Sequence, residues 1–250
     1  KKNNKNEKLH FSNKLASDNE YQDRIRDVDA NTPARFNADE RRLYGASGCA
    51  GKVAVFAVRL DTYPKPQRSQ VFYIGTNSPY ILGKIRRDIL GEFDNLPTSG
   101  EYIHRDCYDA AKKYSKDTFI AIEKMGPSFI PKLFELKRKV DLISQKYRFL
   151  PNKFSDKLMQ FFSRFWPNHL PKRMEQYRDR FEHHWVIEMS DEGIEEAKEY
   201  FEKFFAENEG SFFICTEQEA KKAILHRFVI ASATPRFFAI NQNKVGGLMS

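Results

Sequence analysis

The feature that most constrains the fold is a strand–helix–strand pattern that occurs twice, over positions 70–104 and 184–215. Each copy has a short run of β-branched and aromatic residues, a helix-start signal, apolar residues at helical spacing and a second short strand. Ser78 and Ser190 are the predicted N-caps of the two helices. Two such βαβ halves predict an α+β chain with a ferredoxin-like antiparallel sheet and both helices on one face.

The segment between the two copies, 106–180, is predicted to be a helical insertion. One helix begins near Cys107, and apolar residues at helical spacing predict two more over 129–147 and 155–166. Prolines separate these stretches and predict breaks between them. Short amphipathic helices of this kind are typical of segments that lie at an interface and do not cross it.

The net charge of +8 is concentrated in this insertion. Positions 112–180 hold 17 Lys and Arg against seven Asp and Glu, a local charge of +10, whereas the rest of the chain carries −2. Cations interleaved with aromatic rings favour an anionic lipid surface. The predicted membrane-binding residues are Lys132, Lys137, Arg138, Lys139, Lys146, Arg148, Lys153, Lys157, Arg164, Trp166, Lys172 and Arg173.

The same composition leaves nucleic-acid binding by a ferredoxin-like module as the alternative, through phosphate neutralisation and base stacking. The lipid interpretation is preferred because no segment has the basic-Gly-aromatic strand signature of RNA-binding modules, and we expect no nucleic-acid partner. The two classes differ in a simple assay, since only a nucleic-acid binder shifts single-stranded RNA in a gel.

Several site classes are excluded by pattern. The three cysteines form no CxxC pair, no metal site is predicted, and no Walker, GxGxxG, GxSxG or HExxH motif occurs. The chain lacks a run of about 18 apolar residues, so no membrane-spanning helix is expected. Because the sequence starts at Lys1 without Met, we expect a piece of a longer protein.

Two pairs of a histidine with an arginine, His104-Arg105 and His226-Arg227, could hold a small carboxylate. Structural pairing is the more common role of such residues, and the pattern alone does not exclude it.

Long collinear runs carry a family resemblance. RDVDANTPARFNAD at 26–39 and SGCAGKVAVFAVRLDT at 47–62 are followed by VFYIGTN at 71–77 and GEYIHRD at 100–106. Shorter matches are KDTF, NHLP, EHH and LHRF, the last at 225–228. The chain resembles the bacterial respiratory D-lactate dehydrogenases, which are quinone-linked membrane enzymes that contain FAD.

The resemblance implies the tail of a vanillyl-alcohol-oxidase-type flavin domain, with Gly48, Cys49 and Val55 against FAD. It also implies a cap domain and an electropositive region that docks peripherally on the cytoplasmic face of the bacterial inner membrane. The implied boundaries are 1–61 for the flavin-domain tail, 62–105 and 181–216 for the two cap halves, 106–180 for the membrane-binding insertion, and 217–250 for a helical segment that returns to the insertion or cap.

The implied reaction of the whole enzyme is oxidation of D-lactate to pyruvate by hydride transfer to FAD, with electrons passed to quinone. This chain alone is expected to be inactive. The resemblance makes Arg105 and Arg227 the candidates for contact with the substrate carboxylate, with His104 and His226 as further candidates near the substrate.

Overall fold

The computed structural model describes residues 20–31, 64–147 and 153–241, together with the single positions 54, 56 and 150. Gly48, Cys49, Val55 and Arg148 lie outside these residues. The chain divides into two compact units, one of residues 1–65 with 86–93 and one of residues 66–85 with 94–250.

The larger unit is built on a four-stranded sheet in which every neighbouring pair is antiparallel. The strand order is β2-β3-β1-β4, so the first strand of each predicted half occupies a central position. The four strands of the two predicted βαβ halves are confirmed, each to within a few residues. The further strand that the β-branched run at 53–58 predicts falls mostly outside the described residues, and the described positions 54 and 56 are exposed and not in a strand. Their bounds are β1 Ser69–Thr76, β2 Ser99–His104, β3 His183–Ser190 and β4 Ser211–Ile214.

Nine α-helices occur in the described residues, and with the sheet they confirm an α+β chain. The three helices predicted in the insertion are confirmed, while the fourth and seventh helices had no clear periodic signal. The bounds are α1 Tyr21–Arg26, α2 Pro79–Glu92, α3 Arg105–Tyr114, α4 Lys116–Met125, α5 Ile130–Ser144, α6 Phe154–Ser163, α7 Lys172–Arg180, α8 Gly193–Glu207 and α9 Glu217–Asn241, with a short 3-10 turn at Pro127–Phe129.

The prediction that Ser190 caps the second helix is wrong. Ser190 is the last residue of β3 and pairs with Ser69, and α8 begins only at Gly193. Between them, Asp191 takes a positive φ of 48°. Its carboxylate accepts hydrogen bonds from the backbone N–H groups of residues 67 and 68, at 3.0 and 2.9 Å, so the turn is stabilised by a side chain one position later.

The two faces of the sheet are covered by different helices. On one face Val71 and Tyr73 of β1 join a buried cluster that includes Tyr108 of α3, Met174 of α7 and Val229 of α9. The other face packs against α8, whose aromatic residues meet those of the central and edge strands with ring centroids 5.4–5.9 Å apart. The helices of the insertion therefore supply part of the core, in addition to any surface they present.

Gly75 is required by this packing. A Cβ at this position would lie 2.3 Å from the ring of Phe181 and 2.8 Å from the ring of Tyr177. Because both rings belong to the end of α7, the glycine lets that helix approach the sheet closely.

In the smaller unit, short helix α1 is held by two arginines. Arg26 donates to the backbone carbonyl of Phe93 at 2.6 Å. Nη2 of Arg87 donates to both carboxylate oxygens of Asp29, at 2.8 and 2.9 Å.

Candidate functional site

Helix α6 has its polarity inverted relative to a helix of a soluble core. Its buried positions are polar, and the apolar residues on and just beyond the helix are exposed, with Phe165 reaching 74% exposure. A helix at the surface of a globular domain normally turns its apolar stripe inward. The buried set is Ser155, Asp156, Gln160 and Ser163, and the exposed set is Leu158, Phe161, Phe162, Phe165 and Trp166.

Helix α5, which packs against α6, also exposes apolar side chains, although Leu133 and Val140 are half-buried. Its only buried residue is Ser144, whereas Leu136 is 60% exposed. The further exposed apolar residues on or next to this helix are Phe134, Leu142, Ile143 and Tyr147. Together the exposed apolar side chains of α5 and α6 form what we call the apolar face. A monomeric soluble protein rarely exposes this many large apolar side chains on two neighbouring helices unless it binds a partner or a membrane.

The interior behind the apolar face is held by ion pairs. Arg236 of α9 donates twice to Asp117 of α4, with one Nη2–Oδ2 distance of 2.7 Å, and its Nε lies 3.3 Å from Asp156 of α6. Lys137 of α5 pairs with the same Asp156. Burial opposes the charge of Arg236, but the hydrogen bonds and charges of the two aspartates outweigh it and raise its pKa. Four helices are thereby joined by two cations and two carboxylates.

The structure separates the predicted membrane-binding cations into two groups. Lys137 is part of the ion-paired interior, and Arg173 bonds Glu219 and the carbonyl of Ile214 while its guanidinium lies 4.4 Å from the ring centroid of Phe213. These two cations have intramolecular roles.

The other predicted cations in the described residues extend from the surface. Lys139 pairs only with Glu135 one turn away on its own helix, at 2.8 Å. Those with no ion pair within the described part of the chain are Lys132, Arg138, Lys146, Lys153, Lys157, Arg164 and Lys172. The exposed ring of Trp166 follows α6. Exposed cations therefore accompany the exposed apolar side chains on and next to the same helices.

The residues predicted near a substrate carboxylate lie around the end of β2. His104 caps α3 by accepting from the backbone N–H of Asp106 at 3.1 Å, and its other ring nitrogen is 3.1 Å from Glu182. Arg227 is ion-paired with Glu101 of β2. The Arg105 side chain is half-buried and has no ion pair among the described residues.

His226 lies apart from solvent. It is fully buried, its ring centroid is 4.5 Å from that of Tyr108, and burial lowers its pKa to about 3. It is therefore neutral near physiological pH, which is typical of a core histidine.

The sequence did not predict a surface cavity of about 490 Å³ between α3, the start of α4 and α6. Lys112, Lys113 and Arg164 line it together with His169, which is 5% exposed. The cavity joins residues far apart in the chain, and the only sequence signal was the high density of cations at 112–116. Elsewhere in the described residues, no group of three or more His, Cys, Asp or Glu could hold a metal ion.

Among the described helices, the 25-residue α9 is long and apolar enough to cross a membrane by length and composition alone. It has no uninterrupted run of about 18 apolar residues, and the absence of a membrane-spanning helix stays a prediction. However, α9 packs against α3, α4 and α6, and it carries the buried residues His226 and Arg236. These contacts are those of a core helix.

The inverted helices and their cationic border define the class of the chain as a membrane-docking segment. Comparison with known proteins gives the family. Residues 71–250 match the family model described as "D-lactate dehydrogenase, membrane binding". The chain belongs to this family.

The chain is similar to proteins named quinone-dependent D-lactate dehydrogenase. It is 47% identical to that of Escherichia coli K12 over 246 residues, which are 98% of this chain and 43% of that protein. Identity to the Haemophilus influenzae protein is 52% over 229 residues, covering 91% and 41%. Identity to the Corynebacterium glutamicum protein is 41% over 236 residues, covering 94% and 41%. The chain thus spans less than half the length of these relatives.

Proposed function

We propose that this chain docks a quinone-linked D-lactate dehydrogenase peripherally on the cytoplasmic face of the bacterial inner membrane. The observation that carries the proposal is the inverted polarity of α5 and α6. Their exposed rings and aliphatic side chains enter the headgroup region of the bilayer, and the surrounding cations neutralise anionic phosphates.

An electrostatic and a hydrophobic contribution to the binding free energy hold the chain to the membrane. Each Lys or Arg close to an anionic surface contributes roughly 1 kcal/mol. Moving a large apolar side chain out of water contributes roughly 1.5–3 kcal/mol. Salt screens the first contribution and leaves the second, so we expect binding to weaken at high salt and a measurable part of it to persist.

Sedimentation with lipid vesicles tests this proposal. The chain is mixed with vesicles of phosphatidylglycerol and phosphatidylcholine, or of phosphatidylcholine alone, at low and at molar salt. We expect F161S/F165S to lower binding to the mixed vesicles most clearly at high salt. The control is Tyr80→Ser, which removes an exposed ring from α2, outside the apolar face. Equal binding of both variants at both salt concentrations would refute a role for the apolar face.

The whole protein, of which this chain is a part, is proposed to oxidise D-lactate to pyruvate and to pass the electrons to quinone. The names of the three relatives support this activity. FAD supplies the redox chemistry when bound, and Gly48, Cys49 and Val55 are the residues of this chain proposed to contact it. Residues 1–61 would then belong to the flavin domain.

The sheet is proposed to be the ferredoxin-like core of a substrate cap, made of residues 62–105 and 181–216. The strand order β2-β3-β1-β4 and the antiparallel pairing support this assignment. The basic helices of 106–180 interrupt the cap, and 217–250 returns to them.

Arg105 is the preferred candidate for the substrate carboxylate. Arg227 is already bonded to Glu101, whereas the Arg105 side chain has no ion pair in the described residues. In the whole dehydrogenase we expect Arg105→Gln to raise KM for D-lactate more than Arg227→Gln does, because a bidentate guanidinium–carboxylate contact is lost. An unchanged KM in R105Q would remove Arg105 from the site.

A further inference from the structure

The surface cavity described above shares helix α6 with the apolar face. Helix α6 contributes Gln160 and Arg164 to its lining, while Phe161 and Phe165 of the same helix point to the exposed side. One helix therefore has a face suited to acyl chains and a face that lines a polar cavity.

The cavity is strongly cationic. Four Lys or Arg side chains line it, against the single carboxylate of Asp109. That carboxylate is ion-paired with Arg178, with one Nε–Oδ1 distance of 2.7 Å. Lys112 is likewise paired, with Glu175. Lys113 and Arg164 have no ion pair within the described ranges, so they are available to an anionic ligand.

His169 is the second, independent sign of a ligand. It is 95% buried, and neither ring nitrogen has a hydrogen-bond partner among the described residues; the same holds for His184 and His226, but neither of these lines the cavity. Burial, and then the charges of Lys116, Lys222 and Lys112, lower its pKa to about 4, so the ring is neutral and retains one N–H donor. A buried polar group without a partner is uncommon and costs stability. An oxyanion in the cavity would accept this N–H.

Gln160 adds a complementary group. Its Nε2 donates to the carbonyl of Lys113 at 2.9 Å, and its Oε1 is buried without a donor in the described part of the chain. This oxygen can accept a hydrogen bond from a hydroxyl. Among cations, a neutral hydroxyl is a better donor than an ammonium group, which would be repelled.

We propose that this cavity binds the phosphate of an anionic phospholipid with a hydroxylated headgroup. Lys113, Arg164 and the N–H of His169 bind the phosphate oxygens, and Gln160 Oε1 accepts from the headgroup hydroxyl. The assignment rests on the proposed docking function, because it places the lipid between the apolar face and the core.

Soluble short-chain lipids test the site without a membrane surface. Dihexanoyl-phosphatidylglycerol is titrated into the full 250-residue chain below its micelle concentration, with dihexanoyl-phosphatidylcholine and inorganic phosphate as parallel probes. The readout is the NMR signal of the His169 ring and its pH titration. We expect saturable binding of phosphatidylglycerol and a higher His169 pKa when it is bound, because a nearby anion favours the protonated ring.

Matched variants distinguish a specific binding site from non-specific electrostatic attraction of the lipid to the basic surface. K113Q/R164Q removes one Lys and one Arg from the cavity, and R86Q/K203Q removes the same charges from exposed positions of α2 and α8, outside the cavity lining and outside the predicted membrane-binding set. We expect K113Q/R164Q to weaken phosphatidylglycerol binding by about tenfold or more and R86Q/K203Q to leave it within about twofold. His169→Phe keeps a ring beside Phe119 but has no His169 signal, so its binding is measured by titration calorimetry. We expect this variant to lose the preference for phosphatidylglycerol over phosphatidylcholine.

Each outcome bears on the proposal. Equal loss in the two charge pairs, or equal affinity for phosphatidylcholine, would overturn it in favour of diffuse adsorption. Saturation by inorganic phosphate with no binding of phosphatidylglycerol would overturn the lipid assignment. If vesicles fail to bind while the soluble lipid still saturates the site, docking is refuted and the headgroup site stands.

Discussion

Replacing Arg236 with Leu is expected to destabilise the helical region strongly. The Arg236 side chain is 4% exposed and that of its bidentate partner Asp117 is 2% exposed. Asp156 keeps a second cation, Lys137, after the substitution, but Asp117 has no other cation partner in the described residues. Removing one partner of a buried pair typically costs about 3–5 kcal/mol, because the remaining charge is buried without compensation. This is a large part of the roughly 5–15 kcal/mol that stabilises a domain.

The two tryptophans of the sequence allow the loss to be located. Trp166 follows α6, and Trp185 lies in β3. Denaturant unfolding is followed by fluorescence in Trp166→Phe and Trp185→Phe backgrounds, so that each probe reports one region. We expect Arg236→Leu to lower the midpoint reported by Trp166 more than that reported by Trp185, because the ion pairs join α4, α5, α6 and α9.

The control for this experiment is Lys221→Leu on the same helix. Lys221 forms an exposed pair with Glu217 at 2.6 Å, and such pairs contribute about 0–1 kcal/mol. If Arg236→Leu lowers the free energy of unfolding by less than about 1 kcal/mol, as the control does, the buried pair does not stabilise the region. The double variant D117N/R236Q is expected to lose less than the sum of the two single changes.

Two further predictions concern pH. The hydrogen bond from Arg173 lowers the pKa of Glu219 from 4.5 to about 2, so the ionised carboxylate contributes stability above pH 4.5 that is lost as pH falls toward 2. The difference in free energy of unfolding between wild type and Glu219→Gln should therefore become smaller between pH 4.5 and 2. A difference that stays constant with pH would refute the pairing. Burial lowers the pKa of His226 from 6.5 to about 3, so the unfolded chain binds a proton before the folded chain does as pH falls below 6.5. Between pH 6.5 and 4 the free energy of unfolding of His226→Phe should therefore fall less than that of the wild type. Equal pH dependence of the two free energies would contradict a buried, neutral His226.

The sheet could be predicted because its signals are local. The run at 71–74 and the residues of Ser78-Pro79 specify a strand followed by a helix start within a few positions. The error at Ser190 has a non-local cause, since Asp191 forms a turn whose hydrogen-bond partners, residues 67 and 68, lie more than 120 positions away.

The orientation of α6 could not be predicted from its pattern. Polar residues at 155, 156, 160 and 163 and apolar residues at 158, 161 and 162 give the same amphipathic helix whether the apolar stripe faces a core or a lipid. The orientation of α6 is set by the pairing of Asp156 with Arg236, which lies 80 positions later in the sequence. The cavity around His169 has the same origin, because α3 and α6 meet only in the folded chain.

The inverted helices link membrane binding to stability. Because their apolar side chains face outward, α5 and α6 draw less cohesion from apolar burial and depend on the ion pairs of Asp117, Lys137, Asp156 and Arg236. A membrane that contacts only the folded form adds its binding free energy to stability. Anionic vesicles should therefore raise the unfolding midpoint reported by Trp166 more than that reported by Trp185. Removal of Arg236 weakens the polar side of these helices and leaves the apolar face intact, so the membrane should add the same free energy to the variant as to the wild type, and the cost of Arg236→Leu should be equal on the membrane and in solution.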